Sequence, residues 1–187
     1  MKKLILLLIV SMITFLGSSK ETVDPNFNLP RNDEGKVEYK EVIEVPGVSK
    51  DELYLRAWEW LSKTFISSKN VIQMKDQEGG IIVGNATIQV SVKRVMMFPA
   101  GWINYTLTLN FKDGRYRCVI NSFVHDGTGS EFSNGASAGP LTKDIPRKPK
   151  IFSKKEWARI KMQVDEEINK LIESMKAAMI SDSDDEW

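Results

Sequence analysis

INYTLTLNFKDGRYRCVINSFVHD, residues 103–126, decides how this chain folds. Ile103, Tyr105, Leu107, Leu109 and Phe111 alternate with Asn104, Thr106, Thr108 and Asn110, the two-residue period of a strand with one covered face. Asp113-Gly114 follows, a pair suited to a type I′ turn, in which both central residues take positive φ. The turn sets Lys112 opposite Arg115 and Phe111 opposite Tyr116. Carried further, that register puts Cys118 against Leu109, Ile120 against Leu107, Ser122 against Tyr105 and Val124 against Ile103. Cys118 then falls on the apolar side of the sheet, while Arg117, Asn121, Phe123 and His125 fall on the polar side with Trp102. A slip of one residue would turn every apolar group into water, so the register is firmly specified.

The same reading extends in both directions. Upstream, Val37, Tyr39, Ile43 and Val45 alternate with Glu38, Lys40, Val42 and Glu44, and Pro46-Gly47 ends the strand. Ser49-Lys50-Asp51-Glu52 is a capping box, which satisfies free backbone donors at a helix start. Leu53, Ala57, Trp60, Leu61 and Thr64 share one face of that helix, which Tyr54, Trp58 and Phe65 widen; Trp58 is expected in the core and Trp60 at its rim. Residues 71–75 form a short strand, Gln77-Glu78-Gly79-Gly80 a hairpin turn, and Ile82, Ala86, Ile88, Val90 and Val92 one face of a longer strand, with residues 96–101 (MMFPAG) as a connection. Downstream, residues 127–150 are rich in Gly, Ser, Pro and Lys, a loop longer than compact domains usually carry. A second capping box, Ser153 to Glu156, opens a helix whose apolar stripe runs through Trp157, Ile160, Val164, Ile168, Leu171, Met175 and Met179. The order β-α-β-β-β-β-α predicts an α+β two-layer sandwich, an antiparallel sheet covered on one face by two helices and open on the other.

Composition bounds the function. The chain has 187 residues, 26 basic and 25 acidic, for a net charge of +1, so no global field recruits nucleic acid. One cysteine rules out an internal disulfide. Lys2 and Lys3, an apolar run over residues 4–16 and Gly17-Ser18-Ser19 read as a secretory signal peptide of residues 1–19, with a retained single-span anchor as the competing reading. The expected organisation is that signal peptide, a flexible leader of residues 20–35, a domain of residues 36–180 and an acidic tail of residues 181–187. Export to the periplasm or cell surface follows, with membrane contact only through the signal peptide.

GKVEYKEVIEVPGVSKDELYLRAWEWL (residues 35–61), DQEGGIIVGN (76–85) and LNFKDGRYRCVI (109–120) resemble an exported bacterial family, domain of unknown function 4468. The resemblance implies a TBP-like fold, the β-α-β4-α unit of the TATA-box-binding protein, and no activity or site residues. A shared fold name does not import DNA binding, which would need apolar wedges and basic or amide groups on the open sheet.

Candidate chemistry is sparse. Cys118 reads as a packed thiol. A lone histidine and a lone cysteine cannot supply the usual four-ligand zinc set, so no metal and no cofactor are expected. His125 has no nucleophile motif beside it, and Gly127-Thr128-Gly129 does not complete a phosphate loop. Glu52, Glu59, Asp165, Glu166 and Glu173 read as solvated helix faces. Lys143, Arg147, Lys148, Lys150, Lys154 and Lys155 make the one basic cluster. The aromatic patch expected on the open face is Trp102 with Phe123 and His125, beside Asn104 and Thr106. These five are the candidate binding residues of a non-catalytic module for an envelope protein, peptide or glycan. A hydrolase using two carboxylates and an assembly subunit pairing through an uncharged strand edge are the alternatives.

Overall fold

A computed structural model of the chain describes residues 23–65, 72–128, 134–146 and 151–181. The expected signal peptide and most of the acidic tail lie outside the described residues, as do Arg147, Lys148 and Lys150 of the basic cluster. In chain order the elements are β1 (Glu38–Glu44), α1 (Lys50–Thr64), β2 (Ile72–Asp76), β3 (Ile81–Lys93), β4 (Met97–Lys112), β5 (Arg115–Gly127), β6 (Gly135–Pro140) and α2 (Lys154–Ile180). The six strands form one antiparallel sheet in the order β1-β5-β4-β3-β2, with β6 also on β5. Both helices lie on one face, so the α+β two-layer sandwich holds.

Local chemistry starts each element. Ser49 Oγ accepts from the Glu52 amide at 3.2 Å, and Lys50 N–H donates to Asp113 Oδ1 at 2.8 Å, tying the start of α1 to the β4–β5 turn. Ser153 and Glu156 exchange both bonds of a capping box at the start of α2. Helix α1 buries Leu53, Tyr54, Ala57, Trp60 and Leu61. The tryptophan roles are exchanged relative to expectation. Trp60 is buried and its Nε1 donates to Ser174 Oγ at 2.9 Å, while Trp58 is half-buried beneath the Lys75 ammonium. Along α2, Trp157, Ile160, Val164, Ile168, Ile172, Met175 and Met179 face the core.

Three segments depart from the sequence reading. MMFPAG is not a connection, because β4 begins at Met97 and pairs with β3 through Phe98 and Pro99. Ala100 is the extra residue of a β-bulge there, the setting in which a strand accommodates proline. Nearby, the Gln163 carboxamide of α2 accepts from Ser91 N–H at 3.0 Å and donates to Ser91 C=O at 2.7 Å, satisfying both backbone groups of one β3 residue. The stretch expected as a flexible leader is seated on the domain from Val23 onward. Leu29 is in the core, Arg31 pairs with Val37, and Arg31 Nη2 donates to Thr142 O at 2.7 Å and meets Asp144 at 3.3 Å. Asp144 also faces buried Lys161 on α2 at 3.9 Å. Thirdly, part of the expected loop of residues 127–150 is strand β6, laid along β5.

Candidate functional site

The β4–β5 ladder follows the expected register from Lys112↔Arg115 through Phe111↔Tyr116 and Leu109↔Cys118 to Leu107↔Ile120. It then slips. Thr106 faces Asn121, but Asn104 faces Val124 and Ile103 faces His125, so Ser122 and Phe123 together oppose Tyr105. Ser122 takes φ 61°, the left-handed conformation a bulge can require of one residue. The slip sits where β5 changes partner on its other side, since β1 pairing ends at Asn121 and β6 pairing begins at Val124.

That one residue reverses the expected placement of two candidates. Phe123 is buried between Tyr39 and Tyr105, 5.8 Å from each ring, and is not on the open face. His125 is fully buried and not on the open face either. Its ring lies edge-on to Phe152 at 5.3 Å and to Trp157 at 6.2 Å. Nδ1 accepts from the Ala138 amide at 3.0 Å, which leaves Nε2 to donate to the Ala100 carbonyl at 2.7 Å. Both ring nitrogens are thereby spent on backbone groups, and the pair defines the neutral Nε2–H tautomer. Burial lowers the imidazole pKa, partly opposed by the Ala100 bond and by Asp126. Gly101 makes the close approach possible: at φ 104°, a side chain there would run into the Asp126 carbonyl oxygen.

Cys118 is buried as expected, between Leu109 on β4 and Glu41 on β1. Burial pushes its thiol pKa up to about 12; Glu41 adds to this and Lys176 opposes it. Although both now face inward, the thiol and the imidazole lie seven residues apart on β5, roughly 20 Å at strand rise. They share no pocket.

Trp102, Asn104 and Thr106 do stand on the open face, with Trp102 the most exposed aromatic of the sheet at 37 %. Gln89 lies across from Trp102 on β3 and Asp126 on β5. Asn104 lies between Thr87 and Val124, and Thr106 between Asn85 and Asn121, with Thr106 Oγ1 donating to Asn85 Oδ1 at 3.0 Å. Val124 and Asp126 therefore take the places assigned to Phe123 and His125. Asp126 accepts from both the hydroxyl and the amide of Thr128, which lower its pKa and hold it ionised. The sequence did carry a signal for the exchange. Strict alternation puts polar Ser122 on the apolar side and Phe123 on the polar side, and one extra residue cures both conflicts.

The remaining acids do different work. Glu166 and Glu167 line an open groove of about 430 Å³ along α2 and pair with Lys170 at 2.8 and 3.2 Å. Asp165 accepts from Tyr39 Oη at 2.6 Å. Among the described residues no group of three or more His, Cys, Asp or Glu converges on a metal position, and no helix is long and apolar enough to cross a membrane.

The model of the family described as a domain of unknown function (DUF4468) with TBP-like fold matches residues 39–126. Over those residues the chain is similar to a DUF4468 domain. Among solved structures, a DUF4468 family protein from Bacteroides ovatus ATCC 8483 is 18 % identical and superimposes with a TM-score of 0.60 over 83 % of this chain and 92 % of its own. A TBP-like protein from Parabacteroides distasonis ATCC 8503 is 15 % identical, with a TM-score of 0.53 over 79 % of this chain and 96 % of its own. At such identities the likeness concerns the fold. No curated protein matches the chain. The DUF4468 match ends at Asp126, so Phe123, His125 and the bulge before them fall inside it while β6 falls outside.

Proposed function

We propose that this chain is exported to the bacterial cell envelope and acts there as a non-catalytic binding module, holding an envelope protein, peptide or glycan on the open face of its sheet. One observation carries the reading. An exposed indole, Trp102, stands among Gln89, Asn104, Thr87, Asn85 and Thr106 on the face that neither α1 nor α2 covers. Indole offers apolar area with little entropy to lose, and amides and hydroxyls offer both donors and acceptors to a polar ligand. The two groups best suited to covalent or acid–base chemistry support the non-catalytic part. Cys118 is buried as a neutral thiol, and both ring nitrogens of His125 are engaged by the backbone.

Support for export is the basic, apolar and small-residue succession of residues 1–19. The carboxylate alternative would need two acids across a cleft, and the groove acids Glu166 and Glu167 are instead tied to Lys170. Strand-edge assembly is opposed by charge: edge strand β1 carries Glu38, Lys40, Glu41 and Glu44, and β2 carries Lys75 and Asp76, the usual guard against edge pairing.

The test is capture from envelope extract by the wild-type protein and by Trp102→Ala, with melting temperatures measured alongside. Loss of a specific bound species with unchanged melting supports the reading. Equal capture by both removes the Trp102 face from consideration.

A further inference from the structure

The tip of the β3–β4 hairpin exposes three consecutive apolar side chains: Val95 at 95 %, Met96 at 63 % and Met97 at 56 %. The turn is a built one, with Arg94 N–H donating to the Met96 carbonyl at 3.0 Å. A contiguous apolar projection of this kind marks a contact surface rather than ordinary scatter.

Charge at the base of the hairpin says which surface. A cleft of about 470 Å³ opens there between the hairpin and the start of α2, lined by Lys93, Arg94, Ser153, Lys155, Glu156 and Arg159. Among the described residues, four cations and one carboxylate line it, in a chain whose overall charge is only +1. That carboxylate is already committed, accepting from Arg94 Nε at 2.7 Å and from the Ser153 amide at 2.8 Å.

An apolar finger with a cationic collar is complementary to a layer that is anionic outside and hydrocarbon within. A soluble polyanion would engage the collar and leave the finger in water. An apolar protein socket would engage the finger and give the collar nothing. We propose that this hairpin docks the domain onto an anionic phospholipid bilayer, with Val95, Met96 and Met97 entering the acyl boundary and Lys93 and Lys155 meeting headgroup phosphates. The contact is additional to any made by the N-terminal apolar run, and it does not rest on the Trp102 face.

The experiment places a polarity-sensitive fluorophore on the tip of the full chain through Met96→Cys. Cys118, being buried, stays unlabelled in the native protein. Vesicles of phosphatidylcholine alone and of phosphatidylcholine with phosphatidylglycerol are then added. The expected result is a blue-shifted emission with the anionic vesicles only, suppressed by salt. Lys93→Ala with Lys155→Ala should weaken partitioning about 30-fold, at roughly five-fold for each lysine near an anionic surface. Three results overturn the proposal: sedimentation with vesicles while the tip emission stays unshifted, an equal shift on neutral vesicles, or a response unchanged by the double substitution. Binding to a soluble polyanion without any vesicle shift also overturns it, in favour of a polymer ligand.

Discussion

An imidazole with both nitrogens bonded inside a core is a structural group, and His125 should behave as one. His125→Ala strands the Ala138 amide and the Ala100 carbonyl without partners. The expected loss is about 3 kcal/mol of unfolding free energy, read from chemical denaturation. Its pH dependence has a definite sign. Because burial lowers the folded pKa below 6.5, the unfolded chain takes up a proton that the folded chain refuses. Stability is therefore full above pH 6.5 and falls as the pH drops below it. Glu156, though its burial works the other way, is held below 4.5 by its bonds to Arg94 and Ser153, so its contribution is lost only at lower pH. Between those values the wild-type slope should exceed that of His125→Ala; equal slopes would mean the imidazole is not withdrawn. Cys118 gives a parallel test. Its buried thiol should resist alkylation in native buffer at mildly alkaline pH and react fully in denaturant, and rapid native labelling would contradict its placement.

At the scale of the element, the deciding feature is the single extra residue at Ser122. Ser122→Gly relieves the left-handed φ of 61° and should raise stability by about 0.5–1 kcal/mol. Deleting Ser122 is a different matter. It removes the extra residue and sets Phe123 directly opposite Tyr105, with Phe123 and His125 still inward and Asn121 and Val124 still outward, so cooperative unfolding should be retained. A deletion variant that no longer unfolds cooperatively would contradict the bulge. The bulge also shows what sequence could and could not reveal. Helices α1 and α2 and strands β1 to β5 announce themselves through period and capping residues. Strand β6, GASAGP, has neither β-branched nor aromatic side chains, and only its pairing to β5 makes it a strand. Likewise, Leu29 enters the core from a Pro- and Asn-rich stretch with no periodicity to betray it. Of the five candidate site residues, Trp102, Asn104 and Thr106 take the face that alternation predicts, because β4 runs without a break there. Phe123 and His125 take the opposite one, because the extra residue at Ser122 reverses parity beyond it.

Taken whole, the molecule divides its chemistry between two faces. One face buries the lone thiol and the lone histidine under α1 and α2, and the other leaves Trp102 and its amides and hydroxyls to solvent. Trp102→Ala should accordingly shift unfolding free energy by no more than about 0.5 kcal/mol, as a surface substitution does, while removing ligand capture; a large loss of stability would make the indole a packing residue instead. The division depends on where the chain's single histidine points, and one resonance reports it. A nitrogen-detected NMR titration of His125 should show the neutral Nε2–H tautomer throughout, with no inflection near pH 6.5 and protonation only as the fold fails in acid. An imidazole that titrates reversibly near 6.5 in the folded protein would be open to water, and the account of a catalytically withdrawn core would be contradicted.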